Sequence, residues 1–289
     1  MSEALPEATI RDLYRAACLA ELDALKVGNV HAYADGHRMA VADFVASAEA
    51  SAPGLARRGT GVGARVRAGF AATWEAVGQN TNLGILLLCA PIAAAAESPG
   101  PLRTALDGVL DRLDASDAEA AFAAIRLANP GGLGRAARHD VDGSDASGCP
   151  TLRDAMAEAA PRDRIARAYV TGFADVLAIG LPALADARRH GLAAPWTTTA
   201  VHLAYLTTVP DTHIARKFGA ERAEAVRAEA AAALGSIDLA DAPIPLLLAH
   251  DARLKAEGLN PGTSADFTVA TLFLDAVRAA RGPGVDHPA

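Results

Sequence analysis

Alanine occupies 71 of the 289 positions, and apolar residues recur three and four apart along nearly the whole chain. That combination favours helices and leaves little material for strands. Only 4% of the residues are aromatic although 51% are hydrophobic, so a core built from this chain is assembled from small side chains rather than from the large residues of sandwiches and barrels. The expected fold class is therefore all-α, a single compact multi-helix domain over residues 1–289. The periodicity predicts helices at about 6–26, 38–50, 61–78, 82–97, 100–113, 117–128, 151–159, 161–178, 180–190, 196–209, 211–218, 220–234, 243–257 and 264–281. Between them stand Pro53-Gly54, Pro99-Gly100-Pro101, Pro130-Gly131-Gly132, Gly191, Gly219 and Pro261-Gly262. One long connection, residues 129–150, is expected to be functional or mobile because structureless segments of that length are uncommon inside a domain.

Charge and cysteine usage narrow the classes further. With 27 basic and 34 acidic residues the net charge is −7, which is the wrong sign for a nucleic-acid wrapper, although a local cluster can still hold phosphates. Cys18, Cys89 and Cys149 make neither a disulfide framework nor a zinc-ligand spacing, and the N-terminal segment has no basic region followed by an apolar one, so a cytoplasmic setting is expected. The most apolar run, Leu83 to Ala96, is about 14 residues and contains Pro91; a bilayer span needs about 20. It reads as a buried helix, and no membrane partner is expected.

Several polar residues stand where a core is due. Ile10, Tyr14, Ala17, Glu21 and Leu25 fall on one helical stripe, so Glu21 is either paired in the core, for instance with an Arg of a neighbouring helix, or part of a site. Lys26, Asn29 and His31 then crowd a helix end around Gly28, which suits a left-handed cap. Asn80, Thr81 and Asn82 lead directly into the apolar helix, as caps or as an anion site. Asp211 is placed to cap the next helix or to bind a metal ion or ribose, with Arg216 one turn on as a phosphate ligand. Thr263, Ser264 and Asp266 repeat that logic: a capping arrangement, or hydroxyls on phosphate with Asp266 on its metal ion. The stretch holding Arg57, Arg58, Arg65 and Arg67 lacks the spacing of a phosphate loop, and His139-Asp140 lies in a loop rather than on a helix as in helical metal phosphohydrolases.

Taken in order, the segments CLAELDALKVGNVH, DFVASAEA, NTNLGILLLCAPIAAA, LANPGGLGRAARHDV, RDRIARAYVTGFADV, LTTVPDTHIARKFG and LNPGTSADFTVATLFL resemble the triphosphoribosyl-dephospho-CoA synthase family, and more closely its archaeal and C1-metabolism branch. The resemblance implies an all-helical transferase with a buried polar nucleotide site. Such an enzyme takes ATP with Mg²⁺ and joins the triphosphoribosyl group to 3′-dephospho-CoA or a related acceptor with release of adenine. Taken with the polar residues above, it leads to the expectation of Glu21 and Asp211 in catalysis, Lys26, Asn29, Asn80, Thr81, Arg216 and Ser264, with neighbouring His31 and Asn82, on nucleotide or phosphate, and Asp211 and Asp266 on metal. Three departures stand out: Val27 where the family has proline, Thr263 where it has a second glycine, and Gly36-His37-Arg38-Met39-Ala40 where the lyase-linked members carry His-x-Asp-Met-Asp. Arg38 and Ala40 thus replace two acids, which opens a second expectation, an ATP-using paralogue acting on a phosphorylated small molecule in the synthesis of a methanopterin- or methanofuran-type C1 carrier. A catalytically silent nucleotide-binding or scaffold protein is the third. The expected partners are small molecules, with a homodimer as one open assembly.

Overall fold

The computed structural model describes residues 3–128 and 150–282. Among them fourteen α-helices run in the order α1 (Glu7–Asp23), α2 (Val41–Ala56), α3 (Val62–Val77), α4 (Leu83–Ala96), α5 (Leu102–Asp111), α6 (Ala115–Ala128), α7 (Leu152–Ala159), α8 (Arg164–Thr171), α9 (Leu181–Arg189), α10 (Ala194–Thr208), α11 (Thr212–Phe218), α12 (Ala220–Leu234), α13 (Ile244–Ala256) and α14 (Gly262–Ala280). The described residues contain no strand, only the isolated bridges His31 to Ala34 and Gly36 to Met39. The all-α expectation holds. Residues 129–149, which include Cys149, His139 and Asp140, lie outside the described residues.

The chain forms two compact units whose segments interleave in sequence: residues 1–16, 46–173 and 273–289 in the first, residues 17–45 and 174–272 in the second. In the first unit α4 is the centre. Twelve of its residues are buried, which suits a helix apolar on every side, and α3, α5, α6 and α8 pack on it. Small residues let these helices approach closely. Gly63 of α3 meets α6 so tightly that a Cβ there would stand 2.1 Å from the Asp117 carbonyl oxygen, while its N–H donates to the Asp117 carboxylate at 2.8 Å. Arg65 is fully buried and donates to the Leu55 carbonyl (2.7 Å), the Thr60 carbonyl (3.0 Å) and Glu97, so this arginine of the glycine-rich stretch is spent inside the unit. Cys18 and Cys89 are buried free thiols, and no single helix among the described residues is long and apolar enough to cross a membrane.

The second unit packs α10, α11, α12 and α13 about a core of Leu25, Val27, Leu203, Leu206, Ile214, Val226, Leu247 and Leu254. Here one expected helix changes. The span 161–178 is broken: α8 stops at Thr171, Gly172 and Phe173 both take positive φ (60° and 63°), and Val176–Gly180 winds as a π-turn that runs into α9. The reason is local: the Gly172 and Phe173 N–H groups both turn back to the Ala168 carbonyl and close the helix. Gly180 then fits against Thr271 Oγ1 and Tyr205 Oη, which a Cβ would meet at 2.1 and 2.3 Å.

Candidate active site

Helix α1 ends at Asp23, and the chain continues through a buried loop rather than to the surface. From Ala24 to His31 every residue is buried. Gly28, at φ 83°, turns the chain where a Cβ would collide with Leu254 and Pro261 at 2.7 and 2.8 Å, so its glycine answers both a left-handed backbone and a close approach. This loop sets Lys26 beside Glu21. The Lys26 ammonium donates to the Glu21 carboxylate and to Asn29 Oδ1 (3.2 Å), with Glu21 3% and Lys26 0% exposed. The partner of Glu21 is thus a lysine five residues on, not an arginine from a neighbouring helix. Burial pushes Glu21 up and Lys26 down in pKa, each opposed by the other's charge, and Asp266 adds a further negative charge that favours the Lys26 ammonium. Burial and the ion pair thus act in opposite directions on both groups.

Asn29 extends this polar line, its Oδ1 accepting from the Val30 N–H (2.8 Å) and its Nδ2 donating to Asn260 Oδ1 (2.8 Å). Beneath it, His31 Nδ1 accepts the Tyr33 N–H at 3.2 Å, which leaves Nε2–H facing Asp251 Oδ1 at 3.3 Å. Asp251 also receives the Gly28 N–H (2.8 Å) and Lys255 (2.9 Å). Burial alone would raise its pKa; the donors from His31, Lys255 and Gly28 outweigh that and hold it below the usual carboxylate range. His202 of α10 closes the loop from the other side, Nε2 at 3.2 Å from the Val27 carbonyl oxygen and its buried Nδ1 without a partner among the described residues. Burial, then the nearby Lys26 charge, takes His202 down to about 3, so it is neutral at pH 7.

Asp211 caps α11. Its Oδ1 accepts from the His213 and Ile214 N–H groups (2.9 and 3.2 Å), and its Oδ2 accepts the N–H and the hydroxyl of Ser264, both at 2.8 Å. A carboxylate has about four acceptor sites, and Asp211 has filled that number. Burial pushes its pKa up against those donors. Asp211 and Ser264, expected separately on metal and phosphate, are therefore bound to each other, and the bond ties the start of α11 to the start of α14. Thr212 and Thr263 hydroxyls meet at 3.1 Å alongside. Asp266 lies a half-turn beyond Ser264, partly buried, and Arg216 is exposed at the end of α11. Among the described residues no group of three or more His, Cys, Asp or Glu side chains can hold a metal ion.

Asn80, Thr81 and Asn82 belong to the first unit. Asn80 Oδ1 accepts the Leu83 N–H (3.2 Å), a cap for α4; Thr81 pairs with the Ser47 hydroxyl (2.6 Å); Asn82 Nδ2 donates to Ser51 Oγ (3.2 Å). Asn82 Oδ1 is buried and has no partner among the described residues.

The profile of ATP:dephospho-CoA triphosphoribosyl transferases matches residues 7–284. The chain belongs to that family. Family membership sets aside the silent-scaffold expectation for this transferase. Its fold is shared with a crystal structure from Archaeoglobus fulgidus described as a triphosphoribosyl-dephospho-CoA synthase, at 23% identity and TM-score 0.64, covering 82% of this chain and 99% of the other. No curated protein matches the transferase in sequence.

Sequence reasoning missed Asp251, Lys255, Asn260 and His202. Two signals were available. Asp251 and Lys255 stand four apart on one helix, the spacing of an intrahelical ion pair. The chain has only three lysines, Lys26, Lys217 and Lys255, and all three lie in the second unit.

Proposed function

We propose that this transferase joins the triphosphoribosyl group of ATP to a hydroxyl of 3′-dephospho-CoA or a closely related acceptor and releases adenine. The observation that carries the reading is the buried Glu21–Lys26 pair with Asn29, in a chain matched to the family from residue 7 to residue 284. The reaction forms a bond from the acceptor oxygen to ribose C1 as the bond from C1 to adenine breaks. The acceptor hydroxyl must lose its proton and the departing adenine must gain one. Glu21 is suited to both: its pKa lies above the usual carboxylate range, and Lys26 beside it keeps the charged form accessible. Carboxylate charge near C1 also favours the oxocarbenium character that develops there.

In this reading Asp211 is a positioning residue that acts through Ser264 and the N-terminus of α11. Mg²⁺ belongs to the substrate, carried on the ATP phosphates as Mg²⁺ usually is, with few protein ligands. The buried free cysteines suit a reducing, cytoplasmic setting. A second reading of the acceptor, a phosphorylated C1-carrier precursor, is favoured by exposed Arg38 where the lyase-linked members place an acid. Chromatography of the protein incubated with ATP, Mg²⁺ and dephospho-CoA is expected to show free adenine in step with acceptor loss. Appearance of ADP or inorganic phosphate instead would replace the proposal with phosphoryl transfer.

A further inference from the structure

Lys26 reaches Glu21 from the first position of a tight turn. The Asn29 N–H donates to the Lys26 carbonyl at 3.1 Å, and of the two central residues only Gly28 has positive φ (83°), which makes Lys26-Val27-Gly28-Asn29 a type II turn. The peptide joining Val27 to Gly28 is the soft point of such a turn, because rotating its plane exchanges type II for type I and the turn's own hydrogen bond does not involve it. Its N–H and its carbonyl point in opposite directions, since the peptide is planar and trans.

Here both ends of that peptide are held by side chains of separate helices. The Gly28 N–H donates to Asp251 Oδ1 of α13 at 2.8 Å, and the Val27 carbonyl accepts from His202 Nε2 of α10 at 3.2 Å. Each partner suits one orientation only. A flipped peptide would aim its carbonyl oxygen at the Asp251 carboxylate and its N–H at a ring nitrogen that is itself a donor. Lys255 occupies Asp251 Oδ2 at 2.9 Å, which leaves Oδ1 to the turn and to His31 at 3.3 Å. The Gly28 carbonyl, next along the chain, accepts from His37 Nε2 at 2.8 Å.

A buried loop must satisfy its backbone, but any donor and any acceptor meet that need. The need does not explain why a carboxylate and an imidazole, 2% and 0% exposed, are both spent on one peptide from opposite sides. The residue beyond that peptide is Asn29, whose Oδ1 accepts from Lys26 Nζ at 3.2 Å and whose Nδ2 reaches Asn260 at 2.8 Å. Fixing the peptide fixes the direction from which Asn29 meets the Lys26 ammonium, and with it the ammonium's place beside Glu21.

We propose that Asp251 and His202 are positioning residues of the transferase, holding the Val27–Gly28 peptide in its type II orientation so that Lys26 and Asn29 keep one fixed geometry beside Glu21. The role, though not the geometry, rests on the transferase reading above.

Two measurements on the intact protein test the hold, one of them independent of the reaction. In hydrogen–deuterium exchange, Asp251→Ala and His202→Leu should each speed exchange across residues 24–31 at least about tenfold while α4 exchanges as in wild type. Asp251→Asn, which keeps an acceptor for the Gly28 N–H, and His202→Gln, which keeps an N–H donor, should recover part of that protection. In adenine release, Asp251→Ala should lower kcat about 10–10²-fold with KM for ATP changed less than about threefold. Asn29→Ala should lower kcat as well, and the double variant should stay within about threefold of the slower single variant, because both losses pass through one contact. Losses that multiply in the double variant, unchanged exchange across residues 24–31, or conservative variants no better protected than Ala and Leu overturn the proposal. If Asp251→Ala does not fold, His202→Leu and His202→Gln carry both measurements. Wild type that shows the exchange pattern but releases no adenine keeps the hold on the turn and refutes the transferase reading.

Discussion

At the scale of single residues the protein rests on a buried ion pair, and buried pairs are weak stabilisers. Removing one partner leaves an uncompensated charge and costs about 3–5 kcal/mol, whereas replacing both with uncharged groups of similar shape is often neutral. That asymmetry separates structure from catalysis here. Glu21→Gln is expected to lower kcat by about 10²–10⁴-fold, the usual worth of a positioned acid or base, and to destabilise the fold. Adding Lys26→Met should return the denaturation midpoint toward wild type without returning turnover. A double variant that regains activity along with stability would assign the pair to packing alone. Asp211 behaves differently: Asp211→Asn keeps an acceptor for the α11 amides but sets an N–H donor or a poorer acceptor against Ser264, while Asp211→Ala loses both. Denaturant titration should therefore rank the three wild type, Asn, Ala, with the cap itself worth about 1 kcal/mol.

At the scale of elements, two histidines, buried His202 and half-buried His213, link stability to pH. His202 and His213 are neutral in the folded protein, with pKa values of about 3 and about 4, whereas an unfolded imidazole titrates near 6.5. The unfolded chain therefore binds more protons across that window. Their contribution is fully present above about pH 6.5 and is lost as pH falls toward the folded values, at up to about 1.4 kcal/mol per pH unit for each histidine. Stability measured by denaturant at pH 7 and pH 5 should drop, and His202→Gln should show a shallower drop; equal slopes would contradict the account. The helices themselves were largely legible. Pro99-Gly100-Pro101, Gly191, Gly219 and Pro261-Gly262 punctuate them, and the buried run Leu83 to Ala96 could hardly be anything else. The break after α8 was not, because the stretch 161–178 reads as one helix through Gly172 and Phe173, and only the folded chain shows their N–H groups turned back to Ala168 and Gly180 packed against Thr271 and Tyr205. Gly180→Ala should accordingly cost at least about 1–3 kcal/mol through overpacking, read as a fall in Tm.

At the scale of the whole molecule, the chain crosses between its two units several times, with α1, α2 and α14 each contributing to both. No composition shift marks such an arrangement, since both units are equally rich in alanine. The candidate site was partly legible for the same kind of reason. Glu21 betrayed itself as a carboxylate on an apolar stripe, and Asp211 as a cap. Asp251 and Asn260 could be recognised only once α13 and the start of α14 had brought them to the Gly28 loop, 223 and 231 residues away in sequence. What the fold adds to the motif reading is a contrast between two carboxylates: Asp211 has its acceptor sites filled by Ser264, His213 and Ile214, while Glu21 is buried against the Lys26 ammonium. The central claim, a triphosphoribosyl group passing from ATP to an acceptor hydroxyl, is tested most directly by mass spectrometry of the acceptor after reaction with ATP carrying ¹³C in its ribose. The account predicts that the labelled ribose, with all three phosphates, appears covalently on dephospho-CoA or its close relative while unlabelled adenine appears free; label that stays with adenine in ADP or AMP would contradict it.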